Sequence, residues 1–271
     1  MSKNVLITGA TDGIGKQAAI DLAKMDYHVI VHGRAEESVN QTIKDIGEET
    51  GKDDLKGFSG DFESLSQVRE LAQKINQSYD HLDILVNNAG IFQTEKQTTE
   101  DGFEKTFQVN YLSHYLFTRL LKSLLLKSDN ARVVNVSSMV HATAIDFENL
   151  QGEQNFVGSK AYGISKLCNV LFTYKLARET EKENLTSNCL HPGVISTKLL
   201  KQNYGDIGNA VQEGSDNIVY AATSEKLDGI SGKYFVNKMP QSSATISYEP
   251  GVQDTLWKVS EEMVSDYLSN T

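Results

Sequence analysis

The chain has 271 residues, 39% of them hydrophobic, with 26 lysines and arginines against 36 acids and a net charge of −10. That length suits one α/β domain with a sizeable buried core, and the acidic balance argues against nucleic acid or an anionic membrane as partner. No apolar run approaches the roughly 20 residues of a membrane span, no leader-like stretch precedes the first predicted strand, and Cys168 and Cys189 read as reduced core thiols, so the expected compartment is the cytoplasm.

Apolar strand-like runs alternate with stretches of helical period, which predicts a parallel sheet with helices on both faces. Strands are expected at Val5–Thr8, His28–His32, Leu55–Ser59, Ile84–Asn87, Arg132–Val136, Ser187–Leu190 and Lys233–Val236. Helices are expected to start near Gly13, Glu37, Leu65, Thr99, Ser159 and Asn209. Pro192 and Pro240 fall in predicted loops, and Pro250 just before a C-terminal helix. With no repeat or linker in view, residues 1–271 read as a single domain.

Val5-Leu6-Ile7 runs directly into Thr8-Gly9-Ala10-Thr11-Asp12-Gly13-Ile14-Gly15, and a helical stretch follows from Lys16. A buried strand, a glycine turn and a helix start together present backbone N–H groups and a positive dipole end to a diphosphate. The bland alternative is a glycine-rich surface turn. Further on, Tyr162 and Lys166 stand four residues apart, on one face of a helix. A lysine ammonium beside a phenol favours the phenolate, which suits a group that gives a proton to a carbonyl or takes one from an alcohol.

The second strand ends Ile30-Val31-His32-Gly33-Arg34 with no acid at its tip. An acid there would bond a ribose 2′-OH, whereas the planar fork of Arg34 suits a 2′-phosphate, so NADP(H) is favoured over NAD(H). Asp12, Glu36 and Glu37 weigh the other way. The six histidines show no metal-ligand spacing, and no metal is expected. His141 and His191 fall near the site, with packing or surface roles the expected ones.

With these motifs in order, the chain resembles the short-chain dehydrogenase/reductase family over nearly its whole length. Thr8 to Gly15 matches the glycine motif, Asn87-Asn88-Ala89-Gly90 the segment after the fourth strand, Asn135-Val136-Ser137-Ser138 the serine-bearing strand, and Pro192-Gly193-Val194-Ile195-Ser196-Thr197 the segment after the sixth. Val109 to Phe117, Ser165 to Phe172 and Leu256-Trp257-Lys258-Val259-Ser260 look like the retinol-dehydrogenase and protochlorophyllide-reductase-like branch. The resemblance implies a Rossmann-type, doubly wound, parallel seven-stranded sheet in the order 3-2-1-4-5-6-7, with a dinucleotide at the carboxyl ends of its strands.

It further implies a catalytic tetrad of Asn110, Ser138, Tyr162 and Lys166. Cofactor contacts follow from Gly9, Thr11, Asp12, Gly13, Ile14 and Gly15, from Arg34, from Asp61 with Phe62, from Asn88, Ala89 and Gly90, from Tyr162 and Lys166, and from Pro192, Gly193, Ile195 and Thr197. Residues 194–210 are expected to form a substrate loop, and Leu167–Leu176 with the helix after Thr99 a face for homo-oligomers. The implied activity is hydride transfer between a nicotinamide and a small carbonyl or alcohol. Reduction of a conjugated C=C bond, or dinucleotide sensing without turnover, are the alternatives.

Overall fold

The computed structural model describes residues 2–269. Short apolar runs form β1 (Asn4–Ile7), β2 (His28–Gly33), β3 (Lys56–Ser59), β4 (Ile84–Asn87), β5 (Ala131–Val136), β6 (Leu185–His191) and β7 (Tyr234–Val236). These seven pair in parallel in the expected order β3-β2-β1-β4-β5-β6-β7. An eighth strand, β8 (Met239–Gln241), extends the seven and runs antiparallel to β7. Its turn, Asn237–Lys238, has φ of 49° and 65° at the two central residues, the twist that suits a two-residue hairpin. Pro240 therefore lies not in a loop but in β8, opposite Phe235, where an edge strand tolerates a missing N–H.

The helices are α1 (Gly13–Lys24), α2 (Glu36–Thr50), α3 (Leu65–Ser78), α4 (Lys105–Phe107), α5 (Ser113–Leu125), α6 (Gly158–Glu179), α7 (Lys198–Tyr204), α8 (Val211–Thr223), α9 (Pro250–Met263) and α10 (Ser265–Leu268). Successive strand residues point to opposite faces. In β1, Val5 and Ile7 pack with residues of α1, α2 and α8, while Leu6 packs with those of α3, α5 and α6. Both faces are covered, as a parallel sheet requires. Among the described residues no helix is long and apolar enough to cross a membrane.

The helix expected from Thr99 starts instead at Lys105. Thr99 and Phe103 close a turn on each other, Gly102 takes φ of 86°, and the Glu104 carboxylate accepts from the N–H groups of Thr106 and Phe107. Between α4 and α5 the chain makes one π-helical turn, Gln108–Leu112, with Asn110 at its centre.

The face of α5 and α6 nominated for self-association is covered by α9. Trp257 meets Tyr115 edge-on at 5.1 Å and lies stacked on Phe172 at 6.0 Å, with the Arg119 guanidinium 5.0 Å above it. Tyr111 and Ser260 share a hydrogen bond of 2.6 Å beneath. Rings of this kind contribute about 0.5–1.5 kcal/mol each beyond their buried area.

Candidate active site

The carboxyl ends of the parallel strands share one edge of the sheet, and the motif residues gather there. Gly9 takes φ of 64°, and a Cβ on it would stand 2.9 Å from the Cα of Ala89. The loop after β1 and the loop after β4 are thus in backbone contact. Asn88 reinforces it, donating from Nδ2 to the carbonyls of Thr8 at 2.8 Å and Gly9 at 3.2 Å. A Cβ on Gly15 would lie 2.4 Å from both Asn88 Nδ2 and the Gly9 oxygen. The Thr11 methyl fills the space over Gly33 at the tip of β2.

Asp12 caps α1 by accepting from Gly13 N–H at 2.8 Å, and pairs with Lys198 at 2.7 Å. Burial raises its pKa, but the Lys198 ammonium and the Gly13 N–H outweigh that and hold the carboxyl below its usual value. Thr197 caps α7, and its methyl packs over Gly13. Ile195 and Ile14 meet over Gly214, and Pro192 O accepts from Asn217. The segment from Pro192 to Thr197, including the φ = 108° turn at Gly193, lies against the glycine loop. Residues 194–210, the stretch expected to form a substrate loop, are in part the helix α7; the side chains of residues 202–204 lie outside the described residues.

Just past β3, Asp61 turns the chain by accepting from Glu63 N–H at 3.0 Å. Phe62 is not a pocket wall but a core ring, stacked on His32 at 4.7 Å and edge-on to His114 at 5.0 Å. Arg34 is largely exposed and stands 3.8 Å from Glu63, whose other oxygen pairs with Lys105 at 2.8 Å.

On α6, Lys166 lies 5.6 Å from the centre of the Tyr162 ring, one helical turn away. It is 4% exposed, donates to Val136 O at 3.0 Å, and is driven by burial down to a pKa of about 8. Phe92 packs against the Tyr162 ring, tilted, at 5.3 Å. Ser138 closes β5; its Oγ accepts from Val140 N–H at 3.3 Å, and the loop it starts is tied to α6 by Ala142 N–H donating to Gly163 O at 2.9 Å. Its neighbour Ser137 donates to the Lys166 carbonyl at 2.7 Å. His141 donates from Nδ1 to Ser138 O and accepts from Ala244 N–H, so it fastens that loop to the C-terminal segment.

The Asn110 amide is wholly committed. Its Nδ2 donates to Ile91 O at 2.9 Å and Ser165 Oγ at 3.0 Å, and its Oδ1 accepts from Ile91 N–H at 2.7 Å. Ser165 in turn donates to the Tyr162 carbonyl. A Cβ on Gly90 would lie 3.4 Å from Asn110 Oδ1 and 3.5 Å from Lys166 Nζ, so Gly90, Asn110 and Lys166 form one wall.

Sequence reasoning assigns no contact of its own to Thr8, His32, Gly33, His114, Ser165 or Lys198, although the first five fall within the motifs it quotes. His32 is buried, accepts from Gly9 N–H at 3.4 Å and donates to Gly60 O at 2.9 Å, joining the glycine loop to the end of β3. Burial lowers its pKa to about 4. Spacing along the chain carries no sign of such a bridge; only the placing of a polar residue in an apolar strand hints at it.

These features define a dinucleotide-binding α/β fold with a tyrosine–lysine pair at its cofactor crevice. Residues 3–207 match the family model of the short chain dehydrogenases. The chain is 37% identical over 289 residues to human retinol dehydrogenase 14, covering 97% of this chain and 86% of the relative. To human polyprenol dehydrogenase it is 35% identical, covering 95% and 84%. Among solved structures, an Escherichia coli CFT073 chain of the short chain dehydrogenase type, complexed with NADPH, aligns with a TM-score of 0.71 at 27% identity, over 88% of this chain and 97% of that one. The chain belongs to the short-chain dehydrogenase family, in its retinol-dehydrogenase-like branch, and is an oxidoreductase that uses a nicotinamide cofactor.

Proposed function

We propose that the chain is an NADP(H)-dependent carbonyl reductase or alcohol dehydrogenase in which Tyr162 carries the proton. The observation behind this reading is Lys166. An ammonium has three donors, and among the described residues Val136 O is its single hydrogen-bond acceptor, so two donors remain for ribose hydroxyls beside Tyr162. At the start of α1 the Asp12 side chain takes the Gly13 N–H, while the backbone contact at Gly9 and the tight fit at Gly15 keep the rest of the loop free of large side chains, so the residues present fit a dinucleotide.

When bound, the nicotinamide gives a hydride to the carbonyl carbon or takes one from the alcohol. Tyr162 donates its phenolic proton to the substrate oxygen, and the Lys166 charge favours the phenolate left behind. Ser138 Oγ hydrogen-bonds the same oxygen and holds it in line. Since the Asn110 amide is used up in the fold, what Asn110 offers to a water-borne proton relay is its main-chain carbonyl. Ile195 and Thr197 orient the carboxamide. Residues 1–271 act as one catalytic unit.

Preference for NADP(H) rests on Arg34. Lys105 neutralises Glu63, and Lys198 neutralises Asp12, two of the acids that oppose a 2′-phosphate, while Glu36 and Glu37 in the first turn of α2 still weigh against it. Arg34→Ala is expected to raise the KM for NADPH about tenfold, the worth of a charge-assisted hydrogen bond, and leave that for NADH nearly unchanged. Equal effects on both would remove Arg34 from the phosphate.

Exposed Met139, Val140, Val157, Val194 and Ile207 lie on the loops after β5 and β6 and before α6, and exposed Met239 opens β8 just past the turn from β7. Such exposed apolar side chains suit an apolar alcohol or aldehyde, as do the names of the retinol and polyprenol relatives. The buried, unpaired Cys168 and Cys189 suit a reducing compartment, and we place the chain in the cytoplasm. The test is NADPH oxidation with a panel of aldehydes, ketones, quinones and enones of graded chain length. Turnover rising with apolar length supports the reading; NADPH binding with no turnover across the panel counts for a dinucleotide sensor.

The pH dependence has a definite sign. Lys166 titrates near pH 8, and losing its proton removes the positive charge beside Tyr162. Carbonyl reduction should be at its plateau below about pH 8 and decline above it. A profile flat from pH 7 to 10 would show that the Lys166 charge is not used.

A further inference from the structure

His114 lies on α5, one turn beyond Asn110, and is 2% exposed. Its Nδ1 is 3.1 Å from the main-chain oxygen of Asn110 and its Nε2 is 2.9 Å from Thr8 Oγ. A carbonyl can only accept, so Nδ1 carries the proton and Nε2 accepts. Thr8 Oγ must then be the donor to Nε2. Its own lone pairs take the N–H groups of Asn88 at 2.8 Å and Ala89 at 3.0 Å. The other acceptor in reach, Val86 O, is farther at 3.3 Å and already accepts from Thr8 N–H. The run of bonds therefore has one direction throughout, from the loop after β4, through Thr8 and the imidazole, to the carbonyl at the centre of the π-helical turn.

We infer that His114 is a positioning residue for the reaction: through one neutral imidazole it locks the cofactor-side loop of Asn88 and Ala89 to the Asn110 carbonyl that serves the proton relay. This rests on the Tyr162–Lys166 reading above. The imidazole has no route to a charge of its own. Burial, with Lys166 from α6 and His32 from β2 facing it, lowers its pKa to about 3 even against the favourable Asn110 carbonyl. Phe62 closes the remaining side. Both arms thus stay intact over the working pH range. π-helical turns recur at functional sites, and here the turn gives the Asn110 carbonyl a side-chain partner.

The two arms can be cut separately. In His114→Asn the amide nitrogen stands where Nδ1 stood, so the Asn110 arm is kept and the Thr8 arm is lost. In His114→Gln the amide oxygen reaches the place of Nε2, so the Thr8 arm is kept and the Asn110 arm is lost. The Asn variant is expected to raise the NADPH KM about three- to tenfold, one net hydrogen bond, with kcat nearly kept. The Gln variant is expected to keep KM, lower kcat about tenfold, and enlarge the solvent deuterium isotope effect on kcat, as a hampered relay would. Thr8→Val should mimic the Asn variant, and the Thr8→Val/His114→Asn pair should add nothing to it. Thermal midpoints measured in parallel identify any variant that fails to fold; Thr8→Val, which leaves the ring in place, then carries the test for the cofactor arm.

If both His114 variants lose stability, KM and kcat together with an unchanged isotope effect, His114 is structural and the inference fails. Tyr162→Phe, run alongside, separates the two failures. Full turnover in that variant overturns the reading of the active site itself, whereas lost turnover with no split between the His114 variants overturns only the role of His114.

Discussion

Replacing Tyr162 with phenylalanine should lower kcat by about 10²–10⁴-fold, the usual contribution of a positioned acid or base. The ring itself should stay. Phe92 packs on it at 5.3 Å and the Lys166 ammonium stands 5.6 Å from its centre, and neither contact needs the hydroxyl. NADPH affinity should therefore change little, so the loss falls on kcat with KM for the dinucleotide kept. Steady-state rates with the best carbonyl acceptor, together with NADPH titration, check both halves. A variant that turns over at more than about a third of the parent rate would show that another group moves the proton.

Gly15→Ala should weaken dinucleotide binding by about 10–100-fold. The added methyl would sit 2.4 Å from Asn88 Nδ2 and 2.4 Å from the Gly9 oxygen, and neither can yield cheaply. Asn88 Nδ2 is held by two carbonyls, and the Gly9 oxygen belongs to backbone already pressed on Ala89. Overpacking of this kind costs about 1–3 kcal/mol, and every 1.4 kcal/mol is a factor of ten in Kd. Here the displaced atoms are the cradle itself, so the cost appears in binding as well as in thermal midpoint. Gly251→Ala on α9, where a Cβ would meet nothing, is the matched control and should leave Kd unchanged. Equal Kd values for the two variants would refute the packing argument.

Much of this could be read from residue order, and the reason is local chemistry. Tyr162 and Lys166 are four apart on one helix, and the glycine loop is a strand-to-helix turn whose positive φ at Gly9 and Gly13 and tight contact at Gly15 call for glycine. Such features are visible because their parts are neighbours in sequence. What escaped notice depends on distant partners. Residue order runs the helix back to Thr99, whereas it starts at Lys105 under the Glu104 cap, and only the folded turn shows that carboxylate facing two N–H groups. β8 is three residues with a proline, paired through a turn of Asn237 and Lys238 instead of the usual glycine-bearing pair. Phe62 follows Asp61, an acid expected to meet the cofactor, yet its ring turns inward to His32 and His114. The neutralisation of Asp12 by Lys198 joins residues far apart in the chain, and no spacing rule reaches that far.

The two margins of the sheet bear on how the chain behaves when concentrated. A strand with an unpaired side is a template for another molecule's strand. On one margin β8 is fully exposed but three residues long, and Pro240 at its centre has no N–H to offer an incoming ladder. On the other margin β3 has four residues and opens with the exposed Lys56, whose ammonium would have to be stripped of water by any docking strand. Stacking of copies edge to edge is thereby disfavoured at both ends, so aggregation on heating should start from opened chains, not from the folded sheet.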